Sequence, residues 1–404
     1  MQKRLWNRDF VLLLQGSAVS TIGDLMYSVA IGYWVYQQTG SSALMGIMSS
    51  ISMFITMFLS PFSGSIVDKC NRKWVMVGTD VMQGVVMLVI GILAYLDKLN
   101  VPGVLVAAFL AALGSVFYSP AANTLLIDII PHDDMVRGQS IFSGIASLIS
   151  MVGTAFSGVM VAFFGVPLIV VINGLSNLYS AFSELFIRVP RTVQQGQTVT
   201  VKGILRDSRQ AVKMILSEPC LRLFIPSAMI LNLLGAGPLS LVLPFCMEKG
   251  LSVDMYGYLM SAYTASSLVC VLILGAVKLS PRVRYWVMGL GFSGSVVFLT
   301  LGYLSRGFLP ICAFAALGAF MNCAGNTIFN ASLMLALPEE NRGSILGFIN
   351  SMSVGGSALS AVLYGFLGEA FPLYLVFTVG SMISLVPMVY LCFHRRTKEF
   401  VLNH

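Results

Sequence analysis

The chain has 404 residues, of which 57% are apolar and only 10% are charged, and its net charge is +7. Soluble domains have about 25% charged residues, so this composition excludes a water-soluble globular protein and indicates an integral membrane protein. Apolar runs of about twenty residues recur along the chain, each long enough to cross a bilayer as a helix. The alternating pattern of an outer-membrane barrel is absent.

The apolar runs predict twelve membrane-spanning helices in two groups of six. They cover approximately residues 10–36, 43–66, 74–96, 102–127, 138–164, 166–188, 220–246, 254–277, 285–304, 309–333, 343–367 and 372–394. We therefore predict an N-terminal six-helix bundle (1–188) and a C-terminal six-helix bundle (220–404). The polar linker between them (189–219) has apolar residues among its bases, which predicts an amphipathic helix at the membrane surface.

Lysines and arginines are distributed unevenly among the predicted loops. Of the 24 basic residues, only Lys98, Lys249 and Arg306 lie away from the termini, one alternate set of loops and the span ends that adjoin those loops. Basic residues accumulate on the cytoplasmic side of membrane proteins. The pattern predicts a multi-pass protein of the cytoplasmic (inner) membrane with both termini in the cytoplasm. The positive charge is thus explained by topology, and no nucleic-acid partner is expected.

The two halves of the sequence look related. Gly46 has a counterpart in Gly257, and the segment around Asn123 recurs around Asn326. Parallel repeats of six helices are typical of transporters that bind substrate near the membrane midplane, between the halves. The predicted fold is therefore an all-α membrane fold of two pseudo-symmetric bundles.

A short charged turn lies between the second and third predicted helices, with the sequence Gly64-Ser-Ile-Val-Asp68-Lys69-Cys-Asn-Arg72-Lys73. One interpretation is a simple positive anchor, but an anchor needs neither the glycine nor the acid. The turn resembles the G-x-x-x-D-[RK]-x-x-R-[RK] signature of the major facilitator superfamily. That resemblance implies that these residues form a cytoplasmic gate and that the fold is the major facilitator fold.

A second motif falls in the fifth predicted helix, at Gly144, Gly153, Ser157 and Gly158. It resembles a diverged form of the G-P-x-x-G-G motif of the superfamily's antiporters, and it predicts close helix packing through small residues. Thr154 stands in place of the proline, which weakens the inference of antiport. Other segments resemble the macrolide-efflux branch of the superfamily, which also includes siderophore exporters and lysophospholipid flippases. These segments are Ser17-x-x-Ser20-x-x-Gly23-Asp24, Thr39-Gly-Ser-Ser and Tyr118-Ser-Pro120-Ala-Ala-Asn.

Asp24 lies about fourteen residues into the first predicted helix, roughly 21 Å along its axis. The only lysine or arginine residues inside the predicted spans are Arg188 and Arg222, each within three residues of a span end, so this carboxyl group near the middle of a helix has no basic partner at its depth in the membrane. A buried carboxyl group without a cation favours its protonated form, as a proton carrier requires. We predict that Asp24 couples transport to protons; the alternative is a structural acid bonded to a hydroxyl or amide on a neighbouring helix.

Three further acids, Asp80, Asp128 and Glu184, lie near predicted cytoplasmic helix ends. These positions favour structural roles for their carboxyl groups. Six polar or aromatic side chains are candidates for a cavity wall: Tyr27, Tyr118, Asn123, Asn322, Asn326 and Asn330. Amides are too costly to face lipid. The asparagines therefore either hold helices together or line a cavity, and the sequence leaves both open. The tyrosines could instead be interface anchors.

The residues and the resemblance together predict a proton-coupled exporter of neutral or cationic amphipathic molecules, drug-like or macrolide-like, working by alternating access. No phosphate-binding G-x-x-x-x-G-K-[ST] motif occurs, so a proton gradient is the expected energy source and no cofactor is expected. Anionic cargo would need a basic residue deep in the membrane, and the predicted spans have none there. A lysophospholipid flippase or a siderophore exporter is therefore the second choice. A membrane receptor or scaffold is the alternative from another class.

An enzyme is not expected, because no nucleophile–base set emerges. No metal site is expected either, since the seven cysteines contain no C-x-x-C pair. The expected partners are a small-molecule substrate and the lipid bilayer, and we expect the protein to act as a monomer.

Overall fold

The computed structural model describes residues 5–131, 134–188, 229–277, 279–336 and 342–393, and no strand occurs in these ranges. The helices are α1 (Arg8–Thr39), α2 (Ser42–Lys69), α3 (Arg72–Tyr95), α4 (Val101–Ile129), α5 (Met135–Leu185), α6 (Gly237–Ser240), α7 (Val242–Glu248), α8 (Val253–Ala276), α9 (Pro281–Leu304), α10 (Phe308–Ala336), α11 (Arg342–Ala370) and α12 (Leu373–Phe393). The predicted all-α class is confirmed.

Within the described ranges, ten helices are long and apolar enough to cross a membrane. Their ends lie within a few residues of the predicted ones, because each apolar run stops at a polar or charged turn. The predicted linker (189–219) and the start of the seventh predicted span lie outside the described residues.

Helix α5 consists of two helical segments joined at Gly165, whose φ of 72° and ψ of 165° are not helical. Positive φ is readily adopted only by glycine, so this residue allows the chain to turn between segments 135–164 and 166–185. Pro167 follows in the first turn of the second segment, where its missing N–H leaves no helical bond unmade. The predicted boundary between the fifth and sixth spans falls at this turn.

The seventh predicted span is interrupted at Gly235-Ala-Gly237-Pro238, where proline lacks the N–H that a continuous helix would need. A helical stretch at 229–235 ends before α6 begins at Gly237 with proline in its first turn, and α7 follows after one residue. The Gly237 N–H donates to the Ser360 hydroxyl at 2.7 Å, and the Tyr364 hydroxyl donates to the Leu234 carbonyl. Helix α11 thus binds backbone groups that the break leaves without helical partners.

The chain forms two compact units. Unit 1 comprises Met1–Gly40 and Ile51–Val199, and unit 2 comprises Ser41–Ser50 and Thr200–His404. The first turns of α2 belong to unit 2 because they pack on α11, where the Ser42 hydroxyl donates to the Gly365 carbonyl at 2.8 Å.

Small residues allow a close approach of helices α3 and α5 in unit 1. A Cβ atom added to Gly174 of α5 would lie 2.9 Å from the Gly84 carbonyl oxygen of α3, closer than real Cβ atoms come. Two glycines therefore bring these two backbones together.

The four residues of the predicted packing motif lie earlier in α5. Ser157 and Gly158 are buried, and a Cβ at Gly153 would lie 2.7 Å from Leu25 Cδ1. No described atom comes within 4 Å of a Cβ built on Gly144. Gly153 thus lies at a close helix contact, whereas Gly144 has no close neighbour in the part of the chain that the structure describes.

Candidate functional site

A stripe of buried polar side chains runs along the second segment of α5. It consists of Asn173, Ser176, Asn177, Ser180, Ser183 and Glu184. Residues spaced by three and four positions share one helix face, so these six face the interior of unit 1 together. Interpretation by hydropathy alone misses this stripe, although its helical period is visible in the sequence.

Helix α1 lies close against this stripe because it presents glycines there. A Cβ at Gly16 would lie 3.2 Å from the Ser180 hydroxyl, and one at Gly23 would lie 2.8 Å from Asn173 Oδ1. The Gln15 amide also donates to the Ser183 hydroxyl at 3.2 Å. The α1–α5 contact is therefore polar at its centre, which is costly in a bilayer unless it serves a purpose.

Asp24 lies on α1 beside the stripe and is partly buried. Its Oδ1 accepts a hydrogen bond from the Asn177 side-chain amide at 3.3 Å, and that amide is also 2.9 Å from Asn173 Oδ1. Nowhere in the described chain does a lysine or arginine pair with Asp24. The structure therefore shows an amide partner on a neighbouring helix, and the coupling role of Asp24 stays a prediction.

Asp80 and Glu184 are more deeply buried than their predicted places near helix ends suggest, at 2% and 1% exposure. Arginines such as Arg188 lie near Glu184 in the sequence, but the Glu184 Oε1 accepts a hydrogen bond from the Tyr118 hydroxyl at 3.0 Å. Tyr118 thus contacts an acid in the interior of unit 1. Tyr27, the other tyrosine candidate, is also buried, and its hydroxyl has no hydrogen-bond partner among the described residues.

The predicted gate lies at the junction of α2 and α3. Arg72 forms an ion pair with Asp128 at the end of α4, which supports the structural interpretation of Asp128. Lys73 donates to the carbonyls of Leu185 and Ile187 at 2.6 and 3.0 Å. Two bases thus join the start of α3 to the ends of α4 and α5.

The remaining gate residues are Gly64, Asp68 and Lys69. The side chains of Asp68 and Lys69 lie outside the described atoms, and within that description a Cβ at Gly64 would have no neighbour closer than 4 Å. Their gate role stays a prediction.

The Arg72–Asp128 pair gives a first testable prediction. Asp128→Asn and Arg72→Gln should each lower export, because each leaves a partly buried charge without its partner. The exchange Arg72→Asp with Asp128→Arg should recover part of the loss. A double-mutant cycle on thermal stability in detergent should give a coupling of roughly 0.5–3 kcal/mol. Strictly additive single effects would contradict the pair.

A cavity of about 550 Å³ lies within unit 2. Its wall includes the amides of Asn322, Asn326 and Asn330 from α10 and the rings of Tyr263 and Phe292. No aspartate, glutamate, lysine or arginine is among the described residues that line it. An apolar and aromatic cavity of this size with a few polar groups is typical of a small-molecule site.

The α10 asparagines line this cavity, and no bond from their side chains to a neighbouring helix occurs among the described residues. The Asn326 amide donates to Asn322 Oδ1 at 2.9 Å and to the Asn322 carbonyl at 3.0 Å, both within α10. This geometry favours the cavity interpretation of the amides over the packing interpretation. Their repeat mate Asn123 is exposed and belongs to unit 1, outside this cavity.

Asn326→Leu should therefore change which compounds are transported more than it changes protein stability. Leucine keeps the number and branching of the side-chain heavy atoms and suits a helix, but it removes the amide donors and acceptor that line the cavity. The measurement is the ratio of transport rates for a polar and an apolar amphipathic compound, with membrane abundance as the control. Unchanged ratios together with a large fall in melting temperature would show a packing role instead.

Comparisons with known proteins agree with this geometry. The family model of the Major Facilitator Superfamily matches residues 13–245 and 227–401. Macrolide efflux protein A of Streptococcus pyogenes is 21% identical over 210 residues, 52% of this chain and 52% of that protein, so the matched part spans about half the length of that relative. Multidrug efflux pump Tap of Mycobacterium tuberculosis is 24% identical over 386 residues, 91% of this chain and 88% of Tap.

Solved structures show the same fold. A bacterial homologue of the human lysosomal transporter Spinster matches 100% of this chain and 97% of its own, with a TM-score of 0.72 and 15% identity. The nucleoside transporter NupG matches 95% of this chain and 98% of its own, with a TM-score of 0.73 and 13% identity.

Proposed function

This chain belongs to the major facilitator superfamily, and we propose that it is a proton-coupled exporter of neutral or cationic amphipathic small molecules. It is a multi-pass membrane protein with relatives named as efflux proteins, and its family match supports a transporter rather than an enzyme. The distribution of lysine and arginine supports placing both termini in the cytoplasm. Alternating access is the expected mode of transport.

The uncharged cavity of unit 2 is the observation that carries the proposal. Its amides can hydrogen-bond a polar group on the cargo, and its rings can pack on an apolar body. The faces of Tyr263 and Phe292 can also attract a cation without a carboxylate. Neutral and singly cationic amphipathic molecules therefore suit this wall.

Anionic cargo fits the described residues less well. A phosphate or carboxylate held in the cavity would need a basic group or several donors aimed at it, and the described wall contains no lysine or arginine. Lysophospholipid flipping and siderophore export therefore rank behind export of uncharged or cationic compounds.

Asp24 supplies the acid that proton coupling requires. The sequence has no phosphate-binding loop for ATP, so the energy source we propose is the proton gradient. A carboxyl group held by an amide, with no basic partner in the described chain, can lose and regain a proton as its access to water changes.

The test is transport into inverted membrane vesicles that contain the full-length protein. We expect an acid-inside gradient to drive accumulation of a labelled macrolide and of ethidium, and a protonophore to abolish it. Vesicles without the protein are the control. Transport of a fluorescent lysophospholipid, with no movement of the other two compounds, would overturn the proposed cargo class. Accumulation that survives the protonophore would overturn the coupling.

A further inference from the structure

Asp80 of α3 and Glu184 of α5 bring two carboxyl groups together in the interior of unit 1. The two groups interact electrostatically, and the Ser180 side chain faces both of them. Each carboxyl has one oxygen without a hydrogen-bond partner among the described residues, Asp80 Oδ2 and Glu184 Oε2. Such buried, unpartnered oxygens are costly, so their presence calls for an explanation.

Among the described residues, the surroundings of the two carboxyl groups contain acids and tyrosines but no base. Helix α1 contributes Asp24 and Tyr27, α4 contributes Tyr118, and the pair itself supplies the charged groups of α3 and α5. Within the described ranges, no lysine, arginine or histidine pairs with either carboxyl group. Two ionised carboxylates in this place would repel each other without compensation, and a bound proton removes one of the two charges.

We propose that Asp80 and Glu184 form a second proton-binding site that exchanges protons with Asp24 during transport. This inference rests on the proposed proton coupling. One proton bound to the pair removes one of the two negative charges and converts one carboxylate into a carboxylic acid with an O–H donor. Tyr118 donates to Glu184 Oε1 and so fixes the orientation of that carboxyl group.

The positions of the three acids suit proton transfer toward the C-terminal end of α5. Asn177, which contacts Asp24, and Glu184 are seven residues apart, or about 10 Å along the helix axis. Asp80 shares Ser180 with Glu184 and interacts electrostatically with Asp24, so it lies between the two levels. The acids thus form a series from the middle of α1 toward the end of α5, where Lys73 binds the Leu185 and Ile187 carbonyls.

A proton fits this site better than a metal ion. Hard cations such as Ca²⁺ and Mg²⁺ take six or more oxygen ligands. Among the described atoms, the unpartnered oxygens at the pair are one from Asp80, one from Glu184 and the Ser180 hydroxyl. Three oxygens are too few to replace the water shell of such an ion.

The test is a pH titration of the purified full-length protein in detergent by infrared difference spectroscopy, which detects the carbonyl stretch of a protonated carboxyl group. Asp24→Asn is the starting protein, so that the band of Asp24 itself is absent. We expect this protein to retain a buried carboxylic-acid band that disappears as the pH rises. The additional changes Asp80→Asn and Glu184→Gln should each remove or move that band.

Two further variants make the result specific. Asp97→Asn changes an exposed acid beyond the end of α3 and should leave the band as it is. Tyr118→Phe removes the hydroxyl that donates to Glu184 but keeps the aromatic ring. It should shift the pH at which the band disappears, and it provides the test if the acid variants do not fold. Absence of the band in Asp24→Asn protein, or a band that none of the variants at the pair alters, would overturn the proposal.

Replacing sodium chloride with choline chloride separates a proton from a sodium ion. A titration that depends on sodium would mean that the pair binds that cation, and the proposal would be wrong. Because no cargo is used, the titration stays informative even if the vesicles export none of the compounds tested. Conversely, proton-driven export without a titrating pair would remove this inference and leave the proposed function in place.

Discussion

Asp24→Asn is expected to abolish uphill export driven by a pH gradient while leaving downhill movement of cargo. Asparagine has the shape of the protonated acid but cannot release a proton, so it fixes the residue in one state of the cycle. It can also still meet the Asn177 amide that contacts Asp24 in the wild type. Loss of coupling without loss of folding is therefore the expected phenotype.

The measurement is cargo-induced proton release from purified protein in weakly buffered detergent, together with transport in vesicles. Wild type should release protons when a cationic compound is added, and Asp24→Asn should not. Asp24→Glu keeps the carboxyl group and should retain part of the release, whereas Asp97→Asn should behave as wild type. Equal release from wild type and Asp24→Asn would move the coupling role to other acids, with Asp80 and Glu184 as the next candidates.

Much of the fold follows from the sequence because local physics determines it. Apolar runs of bilayer length must form helices, since a lipid-exposed backbone has no other hydrogen-bond partners. The turn at Gly165 and the break before Pro238 were also predictable, because glycine and proline act on the backbone itself.

The polar stripe of α5 shows where interpretation of the sequence fell short. Serines and asparagines in an apolar helix hardly lower its mean hydropathy, so the span is recognised and its inward face is overlooked. Which neighbours meet that face depends on packing between helices distant in sequence. Gln15 and Ser183, for example, are bonded across 168 residues of chain.

Proximity in sequence was also a poor guide to the partners of the acids. Arg188 lies one helical turn beyond Glu184, yet its backbone N–H binds Asp9 while Glu184 binds Tyr118. Asp128 finds its base 56 residues earlier, at Arg72. Several helix ends meet at the same place in the fold, so a charged side chain there has several potential partners. The sequence does not show which of these partners lie within reach.

Gly174→Ala is expected to destabilise the protein even though alanine favours a helix by about 0.8–1.0 kcal/mol over glycine. The added methyl would lie 2.9 Å from the Gly84 carbonyl oxygen and 2.8 Å from Leu88 Cγ, so α3 and α5 must move apart. Overpacking of this kind costs about 1–3 kcal/mol, which exceeds the gain in helix propensity. Thermal unfolding in detergent should therefore show a lower melting temperature.

Gly144→Ala is the matched control because it makes the same change in the same helix. Its methyl would meet no described atom within 4 Å, so only the gain in propensity remains and the melting temperature should stay equal or rise. Gly84→Ala, on the other side of the α3–α5 contact, should repeat the loss seen at Gly174, since its methyl would lie 3.0 Å from the Gly174 carbonyl oxygen. Equal melting temperatures for Gly174→Ala and Gly144→Ala would show that α3 and α5 can separate freely, and the close contact that positions Asp80 against the α5 stripe would then be unnecessary for the folded state.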